Sequence, residues 1–349
     1  MTLRSTTSRV VKNVVGQSGL ERVKSADRRV RRAAIRALDV EARAAERRRT
    51  EAKANAPTRA AKRLALIDEL GRRDLSASVN QEDLAWASSD PFTEHPEAPL
   101  SRHELLAGLH RVLQPRTYFE IGVRFGESLA LSRTRTIGVD PAYAIRSPLH
   151  CDLRTFCTTS DAFFERSDAF DHFGGTGIDL AFIDGMHLSE YVLRDFINTE
   201  AHAAPGGIVV LDDVLPRNDL EAYRIRRTGP WTGDVFKVLE VLRTHRPDLT
   251  LVPLNTSPTG TLLIAGLDPT NTVLRDAYDQ IEPDLLHADP QTVPAPIQNR
   301  QNAVDPRALL DSAVLAQAAE LRDAGGDAAA FAKLYAGLDD LPRYGDTPS

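Results

Sequence analysis

The sequence is poor in sulfur, with two cysteines and two methionines among 349 residues. Cys151 and Cys157 have no second pair and no histidine at a ligand spacing, which argues against both a disulfide framework and a zinc site. They read as reduced thiols, and a cytoplasmic location is expected. No apolar run approaches the roughly 20 residues that cross a bilayer. The Arg-rich start lacks a continuous apolar stretch, so a secretory signal is not expected. The first 73 residues contain no aromatic side chain. Without rings for bases to stack on, that segment does not resemble a single-stranded nucleic-acid surface, and no nucleic-acid partner is expected. A G-x-G-x-x-G dinucleotide loop is missing as well.

What is present is unevenly charged. Residues 1–73 hold 20 Lys/Arg against 8 Asp/Glu, and the remainder holds 23 against 41, so a segment of +12 precedes one of −18. The basic segment reads as a helical arm with a thin apolar stripe (Val30, Ile35, Leu38). Peripheral contact with an anionic surface, homo-oligomerisation and docking on the acidic remainder are its three candidate roles. Residues 74–100, interrupted by Pro91, Pro96 and Pro99, read as a linker. At Ser101 the pattern changes: Ser101 and Glu104 form a capping box, and Leu105, Leu109 and Val112 follow at helical spacing until Pro115. A globular domain is expected over 101–268, and a helical extension over 269–349.

The domain is organised around residues 179–216. Two apolar runs, Leu180–Ile183 and Ile208–Leu211, each end in aspartate: Asp184 after the first, Asp212 and Asp213 after the second. Between them Leu188, Val192, Leu193, Phe196 and Ile197 have the spacing of an amphipathic helix, which Pro205-Gly206-Gly207 is expected to end. Strand, helix, strand makes a right-handed crossover with both strands parallel, so both carboxyl ends open on one rim. Three carboxylates gathered there repel one another unless they are protonated, spread into water or neutralised by a cation, and a hard ion such as Mg²⁺ is the natural partner.

Upstream, TYFEIG (117–122) is a short strand running into VRFGES. Gly122 and Gly126 mark a sharp strand-to-helix turn, either a packing turn or a loop that a cofactor approaches closely. TIGV (136–139) is a second strand ending in Asp140, placed either to accept from ribose hydroxyls or to form an Asp-Pro turn. In TTSDAFF, Ser160 and Asp161 are candidates both for capping the next helix and for contacting an adenine edge. Downstream, Arg217–Trp231 reads as a mobile polar loop, with Trp231 either stacked on an acceptor ring or packed. LTLVPL and TGTLLIAGL read as a closing antiparallel hairpin. The Ala-rich helices near 306–337 read as packing or oligomer surface.

Taken together, E-I-G-V-R-F-G-E-S, IGVDP, TTSDAFF, AFIDGMH and IVVLDDVLP resemble the motifs of class I S-adenosylmethionine-dependent methyltransferases over residues 101–265. Asp184 with Asp212 and Asp213 resembles the metal-dependent O-methyltransferases, which include catechol enzymes and the macrocin and mycinamicin sugar enzymes. The resemblance implies an α/β, doubly wound Rossmann-like sheet with an antiparallel edge hairpin. It implies S-adenosylmethionine bound by Glu120, Gly122, Gly126, Ser128, Asp140, Ser160, Asp161 and Asp184, and Mg²⁺ held by Asp184, Asp212 and Asp213. It also implies His187 as general base, with its ordinary pKa leaving it mostly neutral. Catechol enzymes carry lysine at the position of His187 and Asp-Asn where this chain has Asp-Asp. Both differences favour a sugar, glycan or glycosylated acceptor over a phenolic or catechol one. An NAD-binding oxidoreductase on a similar sheet is disfavoured by the glycine spacing and leaves the Asp-Asp pair unexplained. A non-catalytic scaffold leaves the carboxylates and His187 without a purpose.

Overall fold

Hydrophobic alternation along the strands determines how the sheet is covered. In the computed structural model, residues 96–344 are described; the basic arm and the expected linker as far as residue 95 lie outside them. The chain runs β1 (Leu100–Ser101), α1 (Arg102–Leu113), β2 (Thr117–Ile121), β3 (Arg135–Val139), β4 (Asp152–Phe156), α2 (Ser160–Phe164), β5 (Ile178–Ile183), α3 (Ser189–Glu200) and β6 (Ala203–Asp212). It continues α4 (Phe236–His245), β7 (Thr250–Leu254), β8 (Thr256–Ser257), β9 (Thr261–Ala265), α5 (Val273–Leu285), α6 (Ala295–Gln298), α7 (Pro306–Leu310), α8 (Ala313–Asp323) and α9 (Ala328–Tyr335). Seven strands form one sheet in the order β4-β3-β2-β5-β6-β9-β7. All neighbours are parallel except β9, which runs antiparallel to both β6 and β7. This is the doubly wound sheet with a closing hairpin expected above, and its order reverses between β2 and β5, where such sheets bind ligands.

Successive residues of a strand face opposite sides, and here both sides are buried. Phe119, Ile121, Ala181, Ile183, Val209 and Leu211 pack with Val192, Leu193 and Phe196 of α3 and Leu239 and Leu242 of α4. Tyr118, Leu180, Phe182, Ile208 and Val210 pack with Leu105, Leu106 and Leu109 of α1. Leu309, Leu315, Phe331 and Tyr335 complete this second face, so the Ala-rich helices share the same core. Arg322 Nη1 of α8 donates to the Leu113 carbonyl at the end of α1, at 2.6 Å.

Several local expectations change. The capping box at Ser101 and Glu104 is present. Helix α3 ends at Glu200, so Pro205-Gly206-Gly207 does not terminate it but lies inside β6, where the pairing with β5 shifts register. Gly206 has φ +77°, and a Cβ there would lie 2.3 Å from the Phe331 ring. The irregularity makes room for α9. Arg217–Trp231 is not a loose loop. Arg217 pairs with Glu221, and Arg224 bridges Glu190 and Asp234, with the three carboxylates at most 7 % exposed.

Candidate functional site

The site lies at the carboxyl ends of β2, β5 and β6. Ile121 pairs with Ile183 and Ile183 with Leu211, which brings Gly122, Asp184 and Asp212 to one edge. Gly122 has φ +95°, and a Cβ there would sit 1.9 Å from the Asp184 carbonyl oxygen. Its glycine requirement comes from the close approach of the two strand ends, whatever else the turn admits.

Beyond β5 the chain turns sharply and presents His187 with φ +46°; beyond β6, Asp213 has φ +63°. Two non-glycine residues in this disfavoured region, facing one another, mark a strained spot of the kind that surrounding packing maintains at functional sites. That packing is visible. Trp231 stacks on the imidazole with ring centroids 5.0 Å apart, and its Nε1 donates to the Tyr223 carbonyl at 2.6 Å. Gly233 lies so close that a Cβ would fall 1.6 Å from the His187 carbonyl. One face of Trp231 is therefore occupied by His187.

His187 Nε2 lies 3.0 Å from Asp184 Oδ1, and Nδ1 lies 2.8 Å from the Trp231 carbonyl and 2.9 Å from Asp213 Oδ2. Every neighbour is an acceptor, so only the doubly protonated ring satisfies both nitrogens. Burial lowers the imidazole pKa, but Asp213 and Asp184 outweigh it and hold the ring well above its ordinary value. The expectation of a mostly neutral histidine fails for the ring as it stands. Without a cation beside them, the two carboxylates favour the charged form of the ring between them.

Asp213 Oδ1 accepts from the Thr259 hydroxyl. Asp213 Oδ2 is buried and, although near Nδ1, makes no aligned hydrogen bond. A buried carboxylate oxygen left in that state is costly. One donor atom from each of Asp184, His187 and Asp213 lies within 4.8 Å of the others. Two carboxylates brought this close together beside an imidazole suit a divalent cation of the Mg²⁺ or Mn²⁺ class.

Asp212 is not in that group. Its Oδ2 takes Nη1 of Arg102 at 2.6 Å, and Nη2 of Arg102 is 3.9 Å from Asp184 Oδ2. Burial, Asp213 and Asp184 push Asp212 upward while Arg102 opposes them. Burial works against the Arg102 charge too, yet Asp212 and Asp184 drive that guanidinium the other way. The 2.6 Å contact is that of an ion pair, so the pair is charged. Asp213 is held below the usual carboxylate range: burial opposes this, and His187 prevails.

Among the residues expected to meet the cofactor, Glu120 is fully buried and accepts from Tyr118 at 2.7 Å and from Ser128, another of them, at 2.8 Å. Burial raises its carboxyl from the ordinary 4.5 to about 8. A raised acid stays protonated in the fold while the unfolded chain ionises, so stability is lost as pH rises from the unfolded value towards the folded one. Glu120→Gln is expected to melt higher than the wild type at pH 8 and to lose that advantage near pH 4.5. Parallel melting curves across this range would expose the idea as wrong.

Asp140 accepts from the amides of Arg124 at 2.8 Å and Ala142 at 2.6 Å, bringing the ends of β2 and β3 together. Thr159, rather than Ser160 or Asp161, caps α2, accepting from the Ala162 amide. Asp161 instead holds Arg194 of α3 at 2.7 Å, and Ser160 hydrogen-bonds the buried Asp195. A cavity of about 610 Å³ lies elsewhere, between α4 and α5, and none of the rim carboxylates lines it.

Residues 119–214 match a family model described as a methyltransferase domain. The chain carries a methyltransferase domain. The matched stretch runs from β2 to the end of β6 and includes Asp140, Asp184, His187, Asp212 and Asp213. No curated protein matches the chain. Among solved structures, it is similar to the O-methyltransferase from Bacillus cereus in complex with SAH, at 16% identity over 53% of this chain and 89% of that one, with a TM-score of 0.35. It is also similar to the O-methyltransferase TomG from Streptomyces achromogenes, involved in tomaymycin synthesis and in complex with SAM. That match has 18% identity, covers 47% and 78% of the two chains, and has a TM-score of 0.35. The SAH-bound methyltransferase PaMTH1 of Podospora anserina is similar at 14% identity over 47% and 76%, with a TM-score of 0.33. Around the methyltransferase domain, no helix among the described residues is long and apolar enough to cross a membrane.

Arg102 is the residue that sequence reasoning missed. It stands directly after the capping serine, and the only signal for it was a lone basic side chain at a helix start.

Proposed function

We propose that this chain is an S-adenosylmethionine-dependent O-methyltransferase, assisted by a divalent cation of the Mg²⁺ class, acting on a hydroxyl of a sugar, glycan or glycosylated natural product. The observation that carries the reading is the rim cluster of Asp184, His187 and Asp213, with the buried Asp213 Oδ2 left without an aligned partner. S-Adenosylmethionine supplies an activated methyl group, and the cation supplies Lewis acidity that makes an acceptor hydroxyl easier to deprotonate.

The chain's own part is positioning and proton transfer. Gly122 and Gly126 shape the turn after β2; Asp140 stands at the ribose position, and Ser160 and Asp161 at the adenine side. Glu120 and Ser128 support that wall. Asp184 and Asp213 would hold the cation, and Asp184 borders the methyl donor as well. His187 accepts the acceptor proton at Nε2 while Nδ1–H keeps its bond to the Trp231 carbonyl, which fixes the ring. It does so once Asp184 and Asp213 no longer need its charge. Histidine at this position favours an aliphatic hydroxyl over a phenol.

Titrating S-adenosylmethionine into the protein by calorimetry, once with Mg²⁺ and once with EDTA, tests the donor. Heat of binding is expected in both titrations, because the cation belongs to the acceptor side. Absence of binding in both defeats the reading.

A further inference from the structure

We infer that Arg102 is a positioning residue that holds Asp212 out of the cation site and leaves Asp184 and Asp213 as its carboxylates. The inference rests on the metal-assisted reading above. Asp212 is the last residue of β6, and Asp213 is the first beyond it, at φ +63°. Asp212 shares its parity with Ile208 and Val210, which pack on the α1 side. Asp213 turns instead towards His187 and Thr259. Arg102, the first residue of α1, comes from the α1 side and takes Asp212 at 2.6 Å.

The guanidinium is fixed from behind. Ser101 caps α1, and Leu100 and Ser101 pair with Thr256 and Ser257 in a separate two-stranded sheet. Thr259, two residues beyond that sheet, donates to Asp213. One short turn therefore positions both the arginine that takes Asp212 and the aspartate left for the cation. Charge agrees with this division. With His187 neutral, as its role as base requires, three carboxylates and one guanidinium leave a net of two negative charges, which a divalent cation balances.

Mn²⁺ is the probe, since it shares the oxygen-ligand preference of Mg²⁺ and its binding is read directly by electron paramagnetic resonance. Arg102→Met removes a positive charge beside the site and frees a carboxylate, so Mn²⁺ is expected to bind about tenfold tighter or more. The double variant Arg102→Met with Asp212→Asn deletes a neutral pair and is expected to bind Mn²⁺ within about threefold of the wild type. A double variant that binds as weakly as Asp212→Asn alone overturns the inference, because Asp212 is then a ligand. An unchanged affinity in Arg102→Met overturns it too. A wild type that binds no Mn²⁺ defeats the metal reading itself, which is a separate result. Melting curves report whether each variant folds. Should Arg102→Met not fold, anomalous diffraction from Mn²⁺-loaded wild-type crystals decides. Asp212 still on Arg102 supports the inference, and Asp212 in the coordination sphere overturns it.

Discussion

Replacing His187 by alanine is expected to lower the turnover of methyl transfer by roughly 10²–10⁴-fold, the usual worth of a positioned base, while S-adenosylmethionine affinity stays nearly unchanged. The separation follows from geometry. His187 contacts Asp184, Asp213 and Trp231, and none of the turn residues around Gly122, Asp140 or Ser160. Label transfer from methyl-tritiated donor to a sugar-hydroxyl acceptor measures the first quantity and calorimetry the second. Added imidazole is expected to restore part of the turnover, because the space beside Trp231 has the shape of the missing ring. Full activity in the variant, or loss of donor binding, would remove His187 from the role of base.

The second large effect is expected from Asp213→Asn. Asparagine keeps the volume and can still accept from Thr259 through its amide oxygen, so the turn at φ +63° has a residue type that tolerates it. What disappears is one of two ionised oxygen donors and the strongest charge raising His187. Mn²⁺ affinity is expected to fall on the order of 100-fold, comparable to the larger losses seen when metal sites lose a supporting group. His187 is also expected to titrate at lower pH in the metal-free variant than in the metal-free wild type, because an opposing carboxylate has gone while burial remains. Chelation by EDTA, which should abolish wild-type turnover, is expected to change little in the variant. Mn²⁺ binding equal to wild type would place the cation elsewhere.

The sheet was legible because parallel strands buried on both faces are continuous apolar runs, and Leu180–Ile183 and Ile208–Leu211 are such runs. Asp184 and Asp212 were legible for the same reason, since each is the first charge after a run. Their division was not. Which aspartate faces which layer depends on strand parity relative to α1, and α1 lies more than 60 residues upstream of either. Arg102 was invisible because its meaning comes wholly from that distant contact. Pro205-Gly206-Gly207 misled because the same residues that stop a helix also make a strand bulge; the deciding partner, Phe331, is 125 positions away. The charge state of His187 was hidden in a similar way. Its ordinary pKa is a property of an isolated ring, and the two carboxylates and one carbonyl around it come from three different segments.

The contact between Arg322 and the Leu113 carbonyl spans 209 positions, and that gives the fold a clock. The strand face formed by Tyr118, Leu180, Phe182, Ile208 and Val210 is sealed by α1 and by helices that include Leu309, Phe331 and Tyr335. A ribosome adding about 5–20 residues per second leaves roughly 10–40 s between the emergence of the first cover and the last. For the last part of that interval, from Ala265 at the end of β9 to Tyr335, a completed sheet has one half-clothed apolar side. Slowing of translation ahead of residue 306 would therefore lengthen the exposure.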